Sequence, residues 1–273
     1  MTEPSEKTRV KFKNPPITEL AIALFYPPIT ELKSQHIGLY WQQVFEKYPI
    51  CEQQNPIIDQ TRPEASATLQ TAPGEIFPLP RFWFQSGEHP MLLQLQRNGF
   101  MLNWRRGEKT AEKADYPQYE HVEKQFWEEF EKYTVFIREV VGGQLQAVDR
   151  CELTYVNLID RDPEYFSRPS DLKNVLPLLN GLCEIYQGAH ELLNASIVYK
   201  FSDNLLLEIV TKLGRRIDTQ DQIALMQLRA HGNPAETSFD GARDWYRSAH
   251  DAIYETFRSI TNERVQTDLW KPL

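Results

Sequence analysis

The sequence predicts an α+β fold built as a tandem pseudo-repeat, in which strand, helix, three strands and long helix occur twice, with antiparallel sheets and helices packed on one face. Three observations carry this expectation. Short apolar runs bounded by turn residues recur in the same order in both halves. Two long segments, Tyr116 to Val141 and Asp240 to Ile260, place apolar residues at three-and-four spacing. Glu19-Leu20 opens the first strand of one half and Glu152-Leu153 that of the other, and prolines follow each strand at Pro27 and Pro163. On this reading residues 1–13 are a disordered lead, 14–143 the first repeat and 144–273 the second, packed as one unit.

The elements follow in order. Asn14-Pro15-Pro16-Ile17 opens a strand from Thr18 to Tyr26, and Pro27-Pro28 ends it because proline cannot donate to a ladder. Thr30 caps a helix reaching Tyr48, with Ile37, Tyr40, Trp41, Val44, Phe45 and Tyr48 on its buried stripe. Residues 49–80, rich in Pro, Gln and Thr, read as irregular. Strands follow at Phe82 to Phe84, Met91 to Gln96 and Phe100 to Trp104, the last two joined by the hairpin signal Arg97-Asn98-Gly99. In the first long helix Val122, Phe126, Phe130, Tyr133, Ile137 and Val140 form the buried face, and Gly142-Gly143 ends it. The acidic residues Glu128, Glu129 and Glu131 read as its solvated face.

The second half opens with a strand from Glu152 to Ile159. Ser170 caps a helix that Pro177 limits to about a turn. Strands follow at Ala195 to Phe201, Leu205 to Lys212 and Ile223 to Ala230. In the final helix Ala242, Trp245, Ala249, Ile253, Phe257 and Ile260 share a face. Several strands, such as Leu205 to Val210, are apolar on both faces, which antiparallel sheets with one wet face do not need. They require a cover on each side: helices on one, the other half's sheet or a partner on the second.

With 30 Lys+Arg against 38 Asp+Glu, the net charge of −8 disfavours nucleic acid as a partner. The polar start of the chain carries no signal-like apolar run, and the longest apolar stretches, such as Leu20 to Tyr26, are far below the roughly 20 residues of a membrane span. Cys51, Cys151 and Cys183 are widely spaced and odd in number, which fits buried thiols of a cytoplasmic protein and no disulfide framework. No nucleotide-binding glycine pattern, phosphate loop or nucleophile elbow occurs, and no cofactor is expected. The six histidines show no spacing that would set two metal ligands on one helical face, so no metal site is expected either.

A few polar residues stand out against their strands. Asn103 and Asn157 lie inside apolar runs where asparagine is depleted. Alternate residues share a face, so Asn103 and Arg105 point together, as do Gln227 and Arg229. Such residues either tie strands together or line a polar patch. His250 lies beside the apolar stripe of the last helix; a hydrolase would need it near a carboxylate and a nucleophile. These six, Asn103, Arg105, Asn157, Gln227, Arg229 and His250, are the candidate ligand-binding residues, and no catalytic set is evident.

Asn14-Pro15-Pro16-Ile17, Asn103-Trp104-Arg105-Arg106, Tyr116-Pro117-x-Tyr119, Tyr155-Val156-Asn157 and Trp245-x-x-x-Ala249-His250-x-x-Ile253-x-x-x-Phe257-x-x-Ile260-Thr261 occur in that order. In this series the chain resembles a sporadically distributed, uncharacterised prokaryotic protein family of about this length. The resemblance brings no assigned activity. Its patchy distribution is that of accessory genes, including bacterial defence and toxin–antitoxin systems. The expected function is a non-enzymatic interaction module that binds another protein or itself. The alternative is a small-molecule sensor with a pocket between sheet and helices, framed by Asn103, Arg105 and Asn157.

Overall fold

Leu20, Ile22 and Leu24 alternate with Glu19, Ala21 and Ala23, and this period of two sets the centre of the fold. The computed structural model describes residues 9–58, 78–87, 90–106, 115–180, 193–216 and 219–273. Strand β1 (Ile17–Phe25) pairs antiparallel with β5 (Gly99–Arg105) on one side and with β6 (Arg150–Asp160) on the other. Outward from β5 run β4 (Met91–Gln96), β3 (Arg81–Gln85) and β2 (Ile50–Gln54); outward from β6 run β9 (Gln222–Gly232), β8 (Leu205–Arg215) and β7 (Asn194–Ser202). The described residues therefore form one nine-stranded sheet in the order β2-β3-β4-β5-β1-β6-β9-β8-β7, and every neighbouring pair is antiparallel.

Expected as separate sheets, the two halves instead join edge to edge. A β1–β6 ladder satisfies backbone donors and acceptors that two stacked sheets would leave at edges. The register carries one apolar face across the junction: Leu20 lies opposite Trp104 and Tyr155, Ile22 opposite Leu102 and Leu153, Leu24 opposite Phe100 and Cys151. The helices cover this face, and their buried side chains share one core with it. The opposite face carries mostly polar and charged side chains.

Helix α1 (Ser34–Val44) is shorter than its apolar pattern implied. Thr30 does not cap it. The cap position is Lys33, whose backbone N–H donates to Nδ1 of His36 at 3.2 Å. Ile37 and Tyr40 are buried, whereas Phe45 lies past the helix end and is exposed. Strand β2 occupies part of the stretch read as irregular. Its sequence, Ile-Cys-Glu-Gln-Gln, is that of a polar edge strand, and among the described residues it pairs on one side only.

Helix α2 (Tyr119–Phe136) continues into a π-helical turn, Ile137–Val141, which ends at Gly142 with φ +78°. The wider turn rotates side chains off the 3.6-residue stripe, so Val140, expected to be buried, is 41% exposed. Glu129 departs in the other direction. Expected on the solvated face, it is 2% exposed, and its carboxylate receives Lys47 Nζ at 2.7 Å and Lys132 Nζ at 3.3 Å. A carboxylate held under two ammonium groups is the arrangement under which burial of a charge is tolerated.

In the second half, α3 (Leu172–Val175) is a single turn between 3-10 turns, as Pro177 requires. Helix α4 (Phe239–Ile260) starts at Ser238, whose hydroxyl accepts the Gly241 N–H at 3.0 Å. Beyond it, α5 (Glu263–Val265) and a π-helical turn, Gln266–Trp270, bury Val265 and Trp270; the sequence reading left this stretch without structure. Residues 1–8 of the expected disordered lead lie outside the described residues. Residues 9–13 are held in place: Phe12 bridges Pro272, and Lys13 N–H donates to Lys271 C=O at 2.8 Å. No helix among the described residues is long and apolar enough to cross a membrane. Cys151 is a buried free thiol and Cys51 a half-buried one, while Cys183 lies outside the described residues.

Packing separates two phenylalanines that the sequence treats alike. Phe130 is buried against Phe100 and Phe239, with ring centroids 5.2 Å away in each case. Phe257 is half-buried against Phe12 and Trp270. Phe130→Ala is expected to lower the unfolding free energy by about 3–5 kcal/mol in urea titrations, and Phe257→Ala by about half as much.

Candidate functional site

The register decides which candidate residues can meet. Leu20, Leu102 and Leu153 face the helices, so Asn103, Arg105, Gln227 and Arg229 project from the opposite face. Asn157 and His250 lie on the helix side. Asn103 and Asn157, expected to frame one pocket, are thus on opposite sides of the sheet. The paired expectations within strands hold, since Asn103 shares its face with Arg105 and Gln227 shares its face with Arg229.

On the open face Asn103 belongs to a continuous hydrogen-bonded chain. Arg81 Nη1 and Trp83 Nε1 both donate to Gln94 Oε1, at 2.9 and 2.8 Å. Gln94 Nε2 donates to Asn103 Oδ1 at 2.7 Å, and Asn103 Nδ2 donates to Glu19 Oε1, which also receives Arg105 Nε at 3.2 Å. The guanidinium groups of Arg81 and Arg105 lie 5.5 and 4.9 Å from the Trp83 ring. Gln94 and Asn103 are buried because every donor and acceptor named here has its partner. These amides tie four neighbouring strands together.

Arg229 plays a corresponding part three strands away, about 14 Å at the usual strand spacing. Its Nε lies 3.2 Å from Glu208 and its Nη1 3.8 Å from Glu152, which also faces Arg150 at 3.6 Å. Gln227 stands on the same face, opposite Val156 and Val210. The two arginine-bearing networks are separate, so the four open-face candidates do not form one site.

The helix side holds a cavity of about 100 Å³ between β6, β9, α4 and the start of α2. Its floor is Tyr155, Asn157 and Leu228, and its wall includes Tyr119, His250 and Phe257. The His250 ring stacks on Tyr119 with centroids 3.8 Å apart and 25° between planes, and it lies nearly parallel to Tyr155 at 6.1 Å. Tyr116 Oη donates to Tyr155 Oη at 3.4 Å. Gln118, which leads into α2 along the cavity, has φ +72°, a conformation unusual for a side chain of its kind.

Asn157 is 1% exposed. Its Nδ2 donates to Met226 C=O at 3.2 Å, which fixes the orientation of the amide, and its Oδ1 has no hydrogen-bond partner among the described residues. The ladder explains the orphan. Asn157 lies opposite Ile17, where the β1–β6 register shifts between Ile17 and Glu19, and among the described residues no donor bonds that oxygen.

Residues 9–13 form a strap beside the cavity mouth. Val10 N–H donates to Tyr254 Oη at 2.7 Å, Arg9 is ion-paired with Asp251, and the Phe12 ring rests on Phe257 and Trp270. The strap, Tyr116, Tyr119 and Tyr155 escaped the sequence reading of the site. Their signal was available in the motifs Tyr116-Pro117-x-Tyr119 and Tyr155-Val156-Asn157, whose aromatic residues converge here. No protein-family model, curated protein or solved structure matches the chain.

The electrostatics favour neutral groups. Burial, reinforced by the nearby Arg9 charge and opposed by Asp251, lowers the His250 pKa to about 3 from its usual 6.5. Burial pushes Tyr155, Tyr116 and Tyr119 upward, so their hydroxyls keep their protons. Arg9 is already engaged with Asp251, and no metal-binding group of three or more His, Cys, Asp or Glu exists among the described residues. The arrangement can accept or donate hydrogen bonds to an uncharged guest.

The His250 shift sets a pH dependence of stability. Below about pH 6.5 the unfolded chain binds a proton at this residue and the folded chain does not until about pH 3, so acidification favours unfolding. The contribution lost is about 1.4 kcal/mol per pH unit inside that window. His250→Phe, which keeps an aromatic ring against Tyr119, is expected to remove this component. Urea unfolding at several pH values between 7 and 4.5 should show a shallower loss in the variant than in the parent.

Proposed function

We propose that the protein is a non-enzymatic accessory interaction module, made by tandem duplication, that associates with a second copy of itself through strand β7. The strand order supports the duplication. Each half places its last meander strand beside its first, β5 beside β1 and β9 beside β6, and adds the others outward, with β2 as an extra strand. The carboxylates agree as well. Glu19 lies opposite Arg105 and bonds Asn103, two residues earlier; Glu152 lies opposite His231 and reaches Arg229, two residues earlier.

The observation that carries self-association is the edge strand β7. It is nine residues long and, among the described residues, paired only with β8, and Ile197 and Val198 are 47% and 54% exposed, beside exposed Phe201 and Leu206. A long apolar edge with unpaired backbone groups is a template for another strand. Full-length antiparallel pairing of β7 with itself centres on Val198. It sets Ile197 opposite Tyr199 and Lys200 opposite Ser196, the residue that hydrogen-bonds Glu208. The register with the greatest overlap is thus also one that keeps like charges apart and brings each lysine toward a carboxylate.

Sedimentation of the purified protein should reveal a concentration-dependent dimer. Val198→Lys, at an exposed position where the fold is indifferent, should shift it to monomer by setting two ammonium groups face to face. Mixing Val198→Lys with Val198→Glu should restore a heterodimer. A parent that stays monomeric at high concentration, or a lysine variant that dimerises like the parent, would overturn the reading. A second reading, a small-molecule-binding module, is favoured by the unpartnered Asn157 oxygen in the aromatic cavity.

A further inference from the structure

We infer that the cavity floored by Asn157 takes a small uncharged molecule with an apolar body and a single N–H or O–H donor, which the molecule gives to Asn157 Oδ1. This rests on the small-molecule reading of the cavity and is independent of pairing at β7.

The donor requirement follows from Asn157. One N–H of its Nδ2 goes to the Met226 carbonyl, and Oδ1 is the atom of this amide without a partner among the described residues, so the need to be met by a guest is that of an acceptor. Buried acceptors in folded proteins almost always have partners, and an unpartnered one on a residue that lines a cavity can be satisfied by a donor on the occupant. The absence of charge follows from the walls. Tyr119, Tyr155, Ile253 and Phe257 surround the space, and His250 is held there as a neutral ring. A charged guest would lose its hydration against these walls, and the charged residues at the edge of the cavity already face one another: Arg9 is paired with Asp251 and lies 3.7 Å from Glu120, which Lys11 approaches at 4.0 Å.

Size sets the third condition. An apolar cavity of about 150 Å³ takes up benzene. The present one, about 100 Å³ and open beside the strap, suits a five-membered ring. The parallel rings of His250 and Tyr155 provide flat surfaces against which such a ring can lie. Whether the ring is a whole ligand or the end of a larger one, the chemistry at Asn157 is the same.

Pyrrole and furan separate the ideas, since the two rings are nearly the same size and only pyrrole carries an N–H. Titrated into 15N-labelled protein and followed by NMR, pyrrole should saturate at millimolar concentration and shift the Asn157 side-chain amide resonance. Furan should bind about tenfold more weakly or worse. In Asn157→Leu, which replaces the orphan amide by an apolar side chain of similar size, the preference for pyrrole should vanish while furan still enters. The labelled parent alone keeps the test valid should the leucine variant fold poorly. Equal binding of both rings would overturn the donor assignment and leave the cavity a ligand site. Saturable binding of neither would overturn the small-molecule reading itself.

Discussion

The ladder between β1 and β6 is the constraint on which the rest of this molecule depends. It joins two half-sheets along strands whose helix-facing side chains, Leu20, Ile22 and Leu24 against Tyr155, Leu153 and Cys151, are all buried. A single continuous sheet has only two faces. Once the ladder forms, the apolar residues of both halves must lie on one of them, and both long helices must cover it together. Aromatic side chains fill the angle between the helices, with Tyr246 touching Phe126 and Trp127 and its hydroxyl donating to Ala23 C=O.

The cavity is a by-product of where that ladder ends. Past Glu19 the pairing slips, Pro15 and Pro16 supply no N–H, and the chain is held there by Leu158 N–H donating to Pro16 C=O at 2.8 Å. Asn157 falls at this slip. Elsewhere the sheet accommodates amides by linking them, as Gln94 and Asn103 are linked on the open face. At the slip no neighbour among the described residues bonds Oδ1, and the stacked rings of Tyr119 and His250 line the cavity without supplying it a donor.

Much of the fold was legible in the sequence because period-two and period-3.6 patterns are local. The strands at Met91–Gln96, Gly99–Arg105, Leu205–Arg215 and Gln222–Gly232, and the helices ending near Gly142 and Ile260, follow from them. Parity also told that Asn103 travels with Arg105 and Gln227 with Arg229. It left open which face they take, since that depends on register between strands up to 140 residues apart in sequence. Distance likewise hid Glu129, whose burial is licensed by Lys47 from another element. The polar edge strand β2 and the short turns after Ile260 lack the apolar repeats that announce an element. The site was half visible: Asn157 and His250 were singled out, but only the fold shows that the tyrosines meet them.

The position of β1 between the halves has a bearing on how the chain is made. As it emerges from a ribosome, β1 finds β5 once residue 105 is out, and it then waits with its other side unpaired until residues 150–160 follow. For that interval the most apolar strand of the molecule is an edge, with the hazards of an open edge during synthesis. Arrival of β6 closes it and lays down the cavity floor in the same event. The strap is fixed later still, because Lys13 and Asn14 donate to the carbonyls of Lys271 and Trp270. The cavity is therefore among the last parts of the protein to be roofed, after every strand beneath it is in place.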